Sequence, residues 1–185
     1  MLSLRPASQA DVPLLAEWAR RPHVIRATTD DPTATEAWEG ADWSEEVARR
    51  DELGPDVWDV LIAELDGRPI GMVALHDAHR EPDHYWGDVD PGTRALDIWI
   101  GEPDLLGRGH GTAMMRQAIA RVFADPRAES LVIDPLAGNA DAIRFYRRLA
   151  FVDAGERCFG DDGADRCLVM RLDRRAASAL ADQPK

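Results

Sequence analysis

Cysteine is scarce in this sequence, which has only Cys158 and Cys167 among its 185 residues. The two lack the spacing of metal ligands, and nothing around them demands a disulfide. Long apolar runs are also missing, since no stretch approaches the ~20 residues of a membrane span. The first residues lack the apolar core of a secretory signal. We therefore expect a cytoplasmic protein that needs no metal and does not cross a membrane.

Basic residues are few relative to acidic ones. The chain has 22 Lys and Arg against 34 Asp and Glu, which gives a net charge of −12 and a pI near 4.8. Nucleic-acid binders carry basic faces, so this balance argues against a nucleic-acid partner. A negative field concentrates cations, but net charge alone is better explained by solubility. A cationic ligand is therefore expected only if the acidic residues converge on one site.

The hydrophobic pattern predicts one α/β domain at residues 1–173 and a frayed or disordered tail at 174–185. The Asp66-Gly67 step between two apolar runs predicts a hairpin turn. Predicted strands cover 2–6, 57–65, 68–75, 95–100 and 130–133, and two more close the chain. Predicted helices cover 11–20, 43–50, 113–123 and 139–149.

The most informative stretch is Leu106–Thr112, a glycine loop between the strand at 95–100 and the helix at 113–123. Glycine allows the backbone to approach a ligand closely, and the N-terminus of a helix offers unpaired N–H groups and a favourable dipole. A pyrophosphate can bind at such a place. The loop lacks the Lys-Ser/Thr ending of a nucleotide P-loop and the spacing of the dinucleotide fingerprint. By itself it is equally consistent with a tight turn.

A second anchor lies in Asp134–Phe151, where an Asp-Pro step ends a strand, Asn139 opens a helix and Tyr146 follows about two turns on. Asn139 is a good helix N-cap in its own right, and Tyr146 is equally compatible with a core position. Together and in this order, the two segments resemble the GNAT acetyltransferase superfamily. Leu106 stands in place of the usual Arg or Gln, and Ala150 in place of the usual Gly.

This resemblance implies a GNAT fold, which is a central mixed, mainly antiparallel, twisted sheet, flanked by helices and splayed in the middle for acetyl-CoA. It implies that pantetheine lies along the strand after Asp97, where a backbone N–H faces the oxyanion. Acetyl-CoA is thus the expected co-substrate. Its expected contacts are Ile98, Trp99, Ile100, Arg108, Gly109, His110, Gly111, Thr112 and Asn139.

A narrower resemblance starts at Asp83–Asp97 and continues through both anchors, which are similar to aminoglycoside 6′-N-acetyltransferases. It implies that Asp97 is the base and Tyr146 the acid toward the departing thiolate. The expected acceptor contacts are Asp83, Trp86, Asp97, Asp134, Asp161 and Asp162. Two departures touch the acceptor side. Ile25-Arg26-Ala27 stands where the family often has a Trp pair, and the segment between Trp86 and Asp90 is one residue shorter.

Amide formation gives Asp97 a role that is independent of the resemblance. An alkyl ammonium with a pKa of ~10.4 is almost wholly charged near neutral pH. It must lose a proton before it attacks a thioester, directly or through a water. Asp97 interrupts an apolar strand, and burial there would raise its pKa towards a useful value. For Asp134, two interpretations are about equally favoured: an acidic turn residue before Pro135 and a residue that binds the acceptor.

We therefore predict acetyl transfer to a primary amine of a polycationic small molecule, such as the 6′-amine of aminoglycoside antibiotics, by a monomer or homodimer. Such an activity confers antibiotic resistance. The alternatives are a siderophore or hydroxylysine N-acyltransferase, a peptide N-acetyltransferase and a non-catalytic acyl-CoA-binding sensor. A single lysine-like acceptor needs few carboxylates, which argues against the first. A sensor is expected to lack Asp97 or Tyr146, and both are present.

Overall fold

The computed structural model describes residues 1–159 and 165–181, which form a seven-stranded sheet with helices packed on it. The strands are β1 (Leu2–Pro6), β2 (Trp58–Leu65), β3 (Arg68–Asp77), β4 (Thr93–Ile100), β5 (Ser130–Ile133), β6 (Val152–Phe159) and β7 (Asp165–Asp173). The helices are α1 (Val12–Ala19), α2 (Pro22–Thr28), α3 (Trp43–Leu53), α4 (His110–Ala124), α5 (Ala140–Arg148) and α6 (Arg174–Ala181). None of these helices is both long and apolar enough to cross a membrane.

The order of the strands in the sheet is β1-β2-β3-β4-β5-β7-β6, and every neighbouring pair is antiparallel except β4 and β5. The parallel pairing is short, because it ends where Ala95 meets Val132. β4 runs on to Ile100, and its other edge stays paired with β3 as far as Gly71. From Leu96 onward, the edge that faces β5 has no strand partner among the described residues. The splayed, mixed and mainly antiparallel sheet expected from the sequence is confirmed.

The two faces of the sheet pack against different helices, because side chains alternate along each strand. On one face, Leu96 of β4 belongs to the core that contains the buried side of α4 and α6. On the other face, Trp99 packs with α1 and α3 around the fully buried Trp18. Asp97 lies one residue beyond Leu96 and two before Trp99. Its carboxyl therefore points to the α1–α3 side of the sheet.

Helix α2 is an element that the hydrophobic pattern did not predict. It has seven residues and buries Val24 alone, so it is too short to display a helical repeat. Pro22 at its first position supplies a helical φ where the N–H would be unpaired in any case. The helix places His23 Nε2 2.9 Å from the carbonyl oxygen of Ile100, at the end of the open edge of β4.

The C-terminal segment differs from the frayed or disordered tail expected from the sequence, because its first eight residues form α6. Ala177 and Leu180 of this helix are buried in the core. Arg174 fixes the first turn by donating to the carbonyl oxygens of Phe123 (2.9 Å) and Ala128 (2.8 Å). The helix is rich in alanine, and Leu180 is its one large apolar residue, so its sequence contains little of the bulk that usually indicates a buried helix face. The last four residues lie outside the described part of the chain.

Gly101, directly after β4, is packed against the ring of Trp18, and a Cβ there would lie 2.2 Å from ring carbons. Trp18 is fully buried, and its Nε1 donates to Glu102 Oε1 at 3.0 Å, which fixes the ring. We expect Gly101→Ala to lower the free energy of unfolding by about 1–3 kcal/mol, the cost of overpacking a core. Urea denaturation measures this. Gly138→Ala is the matched control, since its Cβ would meet no atom within 4 Å. Equal stability of the two variants would show that the Trp18 ring moves aside.

Candidate active site

A cleft of about 1040 Å³ opens where β4 and β5 diverge. Helices α2, α3 and α5 and the segment between α2 and α3 contribute to its walls. Arg49 is the one Arg or Lys among the described residues that line it. The acidic lining residues are Asp31, Glu36, Glu39, Glu46, Glu81, Asp83, Asp97, Asp134 and Asp165. Nine of the 34 acidic residues thus line one cavity, which the net charge alone did not reveal.

Asp97 and Asp134 occupy equivalent places where the two strands diverge. Ala95 and Val132 form the last pair of β4 and β5, and each carboxyl lies two residues further along its own segment. Burial raises the pKa of Asp97 well above its usual range, and the negative charge of Asp134 raises it further. Burial also raises the pKa of Asp134, against the hydrogen bond that Tyr85 donates to its Oδ2 at 2.6 Å. The two carboxyls therefore titrate as a coupled pair.

Tyr146 lies on α5 and lines the same cleft. Burial raises the pKa of its phenol, and the charges of Asp97 and Asp134 raise it further, so the hydroxyl stays protonated at neutral pH. The ring is held between Phe145 and Phe151, whose centroids lie 5.1 Å and 5.8 Å away. The structure thus brings to one cavity the carboxyls and the phenol that the sequence nominated separately. The roles of base and acid remain predictions.

The glycine loop has the geometry of an anion site. Gly109 is the N-cap of α4 and has a φ of 83°, and no side chain caps this helix. The first N–H groups of α4 are therefore open to a ligand. A Cβ at Gly109 would meet no atom within 4 Å, so the space beside the loop is free. Arg108 is exposed in the loop, and His110 and Thr112 are half-buried in the first turn.

Ile98 and Ile100, on the open edge of β4, line the cleft together with Gly111 at the start of α4. Ile100 Cδ1 lies 3.8 Å from the position that a Cβ on Gly111 would take. The strand edge and the helix N-terminus are therefore continuous. An extended ligand that ends in a pyrophosphate fits this surface, because the strand edge offers backbone hydrogen bonds and the helix offers N–H groups.

Trp99 lies between these two isoleucines but points to the opposite face of the sheet. Its ring meets Trp38 and Trp43 edge to face, with centroids 5.7 Å and 5.9 Å away. Its Nε1 is buried and has no hydrogen-bond partner among the described residues. The side chain therefore belongs to the α1–α3 side of the cleft. The expected contact of Trp99 with acetyl-CoA stays a prediction.

Asn139 has the structural role that its position before a helix indicates. It is the N-cap of α5, and its Oδ1 accepts a hydrogen bond from the N–H of Ala142 at 3.1 Å. The same side chain lines the cleft. Because the amide also carries an NH2 group with two donors, capping does not exhaust its hydrogen-bonding capacity. The expected contact of Asn139 with pantetheine stays a prediction.

The expected acceptor residues have different environments. Asp83 is exposed at the cleft and forms an ion pair with Arg49. Trp86 is only 3% exposed, because Tyr85 and Phe159 pack on it with centroids 5.6 Å and 5.5 Å away. Little of its ring is left to stack on an acceptor. Asp161 and Asp162 lie outside the described residues.

Three other residues of the cleft were not nominated from the sequence. Tyr85 is the hydrogen-bond donor to Asp134, and Arg49 is the partner of Asp83. His76 is buried beside them, 8% exposed, and lines the cleft. Tyr85 lies in the segment that resembles aminoglycoside 6′-N-acetyltransferases, next to Trp86, so its position in the sequence could have indicated that it lines the cleft. Nothing in the sequence marked Arg49 or His76.

Comparison with known proteins is consistent with this geometry. The sequence profile of the acetyltransferase (GNAT) domain matches residues 7–159. The aminoglycoside N(6′)-acetyltransferase type 1 of Klebsiella pneumoniae is 29% identical over 158 residues, which cover 83% of this chain and 75% of that protein. The lysine N-acyltransferase MbtK of Mycobacterium tuberculosis is 29% identical over 133 residues, which cover 71% of this chain and 60% of that protein.

Solved structures show the same fold. The crystal structure of the aminoglycoside acetyltransferase AAC(6′)-Ib in complex with coenzyme A and kanamycin superposes with a TM-score of 0.79 at 27% identity. The superposition covers 97% of this chain and 98% of that one. The matched profile extends over most of the chain and includes the glycine loop, the carboxyl pair and Tyr146. The chain therefore belongs to the GNAT family and is an acetyl-CoA-dependent N-acetyltransferase.

Proposed function

We propose that this enzyme acetylates a primary amine of a polycationic small molecule, and specifically the 6′-amine of an aminoglycoside. The observation that carries the proposal is the lining of the cleft, where seven acidic side chains besides the Asp97–Asp134 pair are found and Arg49 is the one Arg or Lys among the described residues. Such a cavity attracts ligands with several ammonium groups. The similarity to an aminoglycoside N(6′)-acetyltransferase over most of both chains supports it. This activity would confer antibiotic resistance.

Acetyl-CoA fits the side of the cleft formed by β4 and α4. The N–H groups at the start of α4 would bind its pyrophosphate, because Gly109 leaves that space open. The open edge of β4 would hold pantetheine as an added strand. Asn139 would contact the pantetheine from the α5 side. Acetyl-CoA supplies the thioester whose acetyl group is transferred.

Asp97 would accept a proton from the acceptor ammonium, so that the neutral amine can attack the thioester carbonyl. Its raised pKa makes it a stronger base than an ordinary aspartate. Backbone N–H groups on the open edge of β4 would donate to the oxyanion that forms. Tyr146, which stays protonated, would donate its hydroxyl proton to the departing thiolate. The second proton of the attacking nitrogen, released as the amide forms, would then restore the phenol. Asp134 would remain the anionic partner that binds a further ammonium group.

A lysine N-acyltransferase is the second candidate, because MbtK covers 71% of this chain at 29% identity. Both candidates acylate a primary amine and differ in the charge of the acceptor. A lysine-like acceptor brings a single ammonium group, and one or two carboxylates would bind it. The nine-residue acidic lining, Asp31 to Asp165, exceeds that need and therefore favours a polycation.

Thiol release from acetyl-CoA, measured against kanamycin, hydroxylysine derivatives and short peptides, tests the proposal. We expect kanamycin to be the best acceptor, with a KM that rises steeply with ionic strength because several ammonium–carboxylate attractions are screened together. The KM for acetyl-CoA is expected to depend less on salt. Thiol release with a hydroxylysine derivative and none with kanamycin would replace this proposal with the lysine-acylating one.

A further inference from the structure

Arg49 occupies an unusual place, since it is a cation inside an acidic cleft. It lies on α3, and its Nη1 is ion-paired with Oδ2 of Asp83. Its Nε lies 3.7 Å from Glu46 Oε1, and its guanidinium lies over the ring of Trp58, 4.9 Å from the centroid. All four residues line the cleft. Asp83, one of the carboxylates expected to bind the acceptor, is therefore already paired with a cation of the protein itself.

The surroundings of Arg49 have spare hydrogen-bonding capacity. Glu46 Oε2 and His76 Nδ1 are buried and have no partner among the described residues. Trp86 Nε1 donates to His76 Nε2 at 3.3 Å, and burial lowers the pKa of the imidazole to about 4. The neutral ring therefore carries its proton on Nδ1, as an unused donor. A buried polar group without a partner is costly, so one free acceptor and one free donor here indicate a place that a polar ligand completes.

The ion pair between Arg49 and Asp83 is open to replacement. The side chain of Asp83 is 53% exposed and that of Arg49 is 26% exposed. Ion pairs in contact with solvent are weak, because water competes with each partner. Arg49 also rests on the Trp58 ring, so it keeps one favourable contact when its partner is taken. An incoming ammonium group can therefore compete with the guanidinium for Asp83.

We propose that Arg49 is a specificity-determining residue, whose guanidinium fills the subsite at Asp83 and Glu46 that an ammonium group of the acceptor takes on binding. The proposal rests on the proposed function, because it requires a polycationic acceptor. A ligand with several ammonium groups gains Asp83 only by displacing Arg49. A monoamine, which needs only the Asp97–Asp134 pair, leaves Arg49 in place. Arg49 thus reduces the advantage of each additional positive charge on the acceptor.

A double-mutant cycle between Arg49 and Asp83 separates competition from simple repulsion. Dissociation constants of kanamycin are measured by calorimetry for the wild type, Asp83→Asn, Arg49→Met and the double variant. Under competition, Asp83→Asn changes the constant by less than about twofold in the wild type, the usual limit of additivity. In the Arg49→Met background it weakens binding about tenfold, as expected for one charge-assisted hydrogen bond. Equal factors in both backgrounds would overturn the proposal, because they mean that Arg49 acts through its charge alone.

Matched controls make the cycle specific. Arg171→Met removes the same charge from an exposed pair with Asp173, outside the residues that line the cleft, and is expected to leave kanamycin binding unchanged. Glucosamine, a monoamine, should bind equally to the wild type and Arg49→Met. Thermal denaturation confirms that each variant is folded, and Arg49→Gln repeats the cycle if the methionine variant does not fold. If Arg171→Met increased the affinity for kanamycin as much as Arg49→Met does, the proposal would also be overturned.

The result is independent of whether acetyl transfer occurs. Kanamycin that shows the expected coupling but releases no thiol overturns the proposed function and leaves the assignment of Arg49 standing. Thiol release with kanamycin and equal factors in the cycle overturn the assignment of Arg49 alone. Absence of binding by both kanamycin and the linear tetraamine spermine overturns both, because the cleft is then not a polycation site.

Discussion

Asp97→Asn is expected to lower kcat by about 10²- to 10⁴-fold, the range for the loss of a positioned general base. Asparagine keeps the size of the side chain but cannot accept a proton from the ammonium group. The KM for acetyl-CoA should change little, because the substitution does not touch the glycine loop. Steady-state thiol release with saturating acceptor measures the effect.

The raised pKa of Asp97 predicts how activity and stability depend on pH. The pKa of Asp97 is raised, so the carboxylate form becomes available only above the range of an ordinary aspartate, near 3.9. The acidic limb of kcat/KM in the wild type should therefore lie well above pH 4 and be absent in Asp97→Asn. The pH dependence of stability is opposite to that of activity. The wild type loses free energy of unfolding as the pH rises from the unfolded to the folded pKa, and the variant does not. Asp97→Asn should thus be at least as heat-stable at neutral pH.

Two comparison variants separate the base from its neighbours. Asp134→Asn removes a negative charge beside Asp97 and so lowers its pKa, which should move the acidic limb to lower pH with a smaller loss of kcat. Tyr146→Phe should also cost less than Asp97→Asn, since a thiolate leaves without immediate protonation. A near-normal pH profile in Asp97→Asn would contradict the assignment and make Asp134 the base.

The local geometry at the glycine loop, Asn139 and Asp97 was predictable because it depends on short-range patterns. A glycine loop between a strand and a helix fixes where the first N–H groups of α4 lie, and Gly109 indeed caps that helix. Asn139 before an amphipathic segment predicts an N-cap, which the hydrogen bond from Ala142 bears out. Asp97 within an apolar strand predicts a carboxyl with a raised pKa. Each of these inferences needs only the residues on either side.

The wall of the cleft around Arg49, Asp83 and Trp86 was less predictable, because it depends on contacts between distant segments. Arg49 and Asp83 are 34 positions apart, and the charge pattern of α3 does not show which carboxylate a given arginine meets. A tryptophan such as Trp86 can stack on a sugar ring, but Phe159 covers the ring of this one. The alternation along β4 gave no warning that pairing with β5 stops at Ala95. The resemblance implied a splay, but the register between strands is a property of the whole sheet, so the point at which β4 and β5 diverge required the structure.

Gly109→Val is expected to raise the KM for acetyl-CoA by about 10- to 100-fold. The space beside Gly109 is empty in the structure and lies at the N-terminus of α4, where the pyrophosphate is expected. An isopropyl group would fill that space and separate the N–H groups from the phosphate oxygens. A hydrogen bond to a charged group contributes about 1.5–3 kcal/mol, and each 1.4 kcal/mol is a factor of ten in affinity. Loss of one such bond thus gives an effect of this size.

Backbone strain at a left-handed position could also raise the KM of Gly109→Val, and Gly67→Val is the control for this effect. Gly67 lies in the turn between β2 and β3, has a φ of 82° against 83° at Gly109, and likewise has no atom within 4 Å of its Cβ position. Both substitutions force a branched residue into the left-handed region at a similar cost in stability. Only the change at Gly109 should alter the KM for acetyl-CoA, and calorimetry should show unchanged binding of the acceptor by both variants. If Gly109→Val binds acetyl-CoA as tightly as Gly67→Val does, the loop is a turn and the pyrophosphate binds elsewhere.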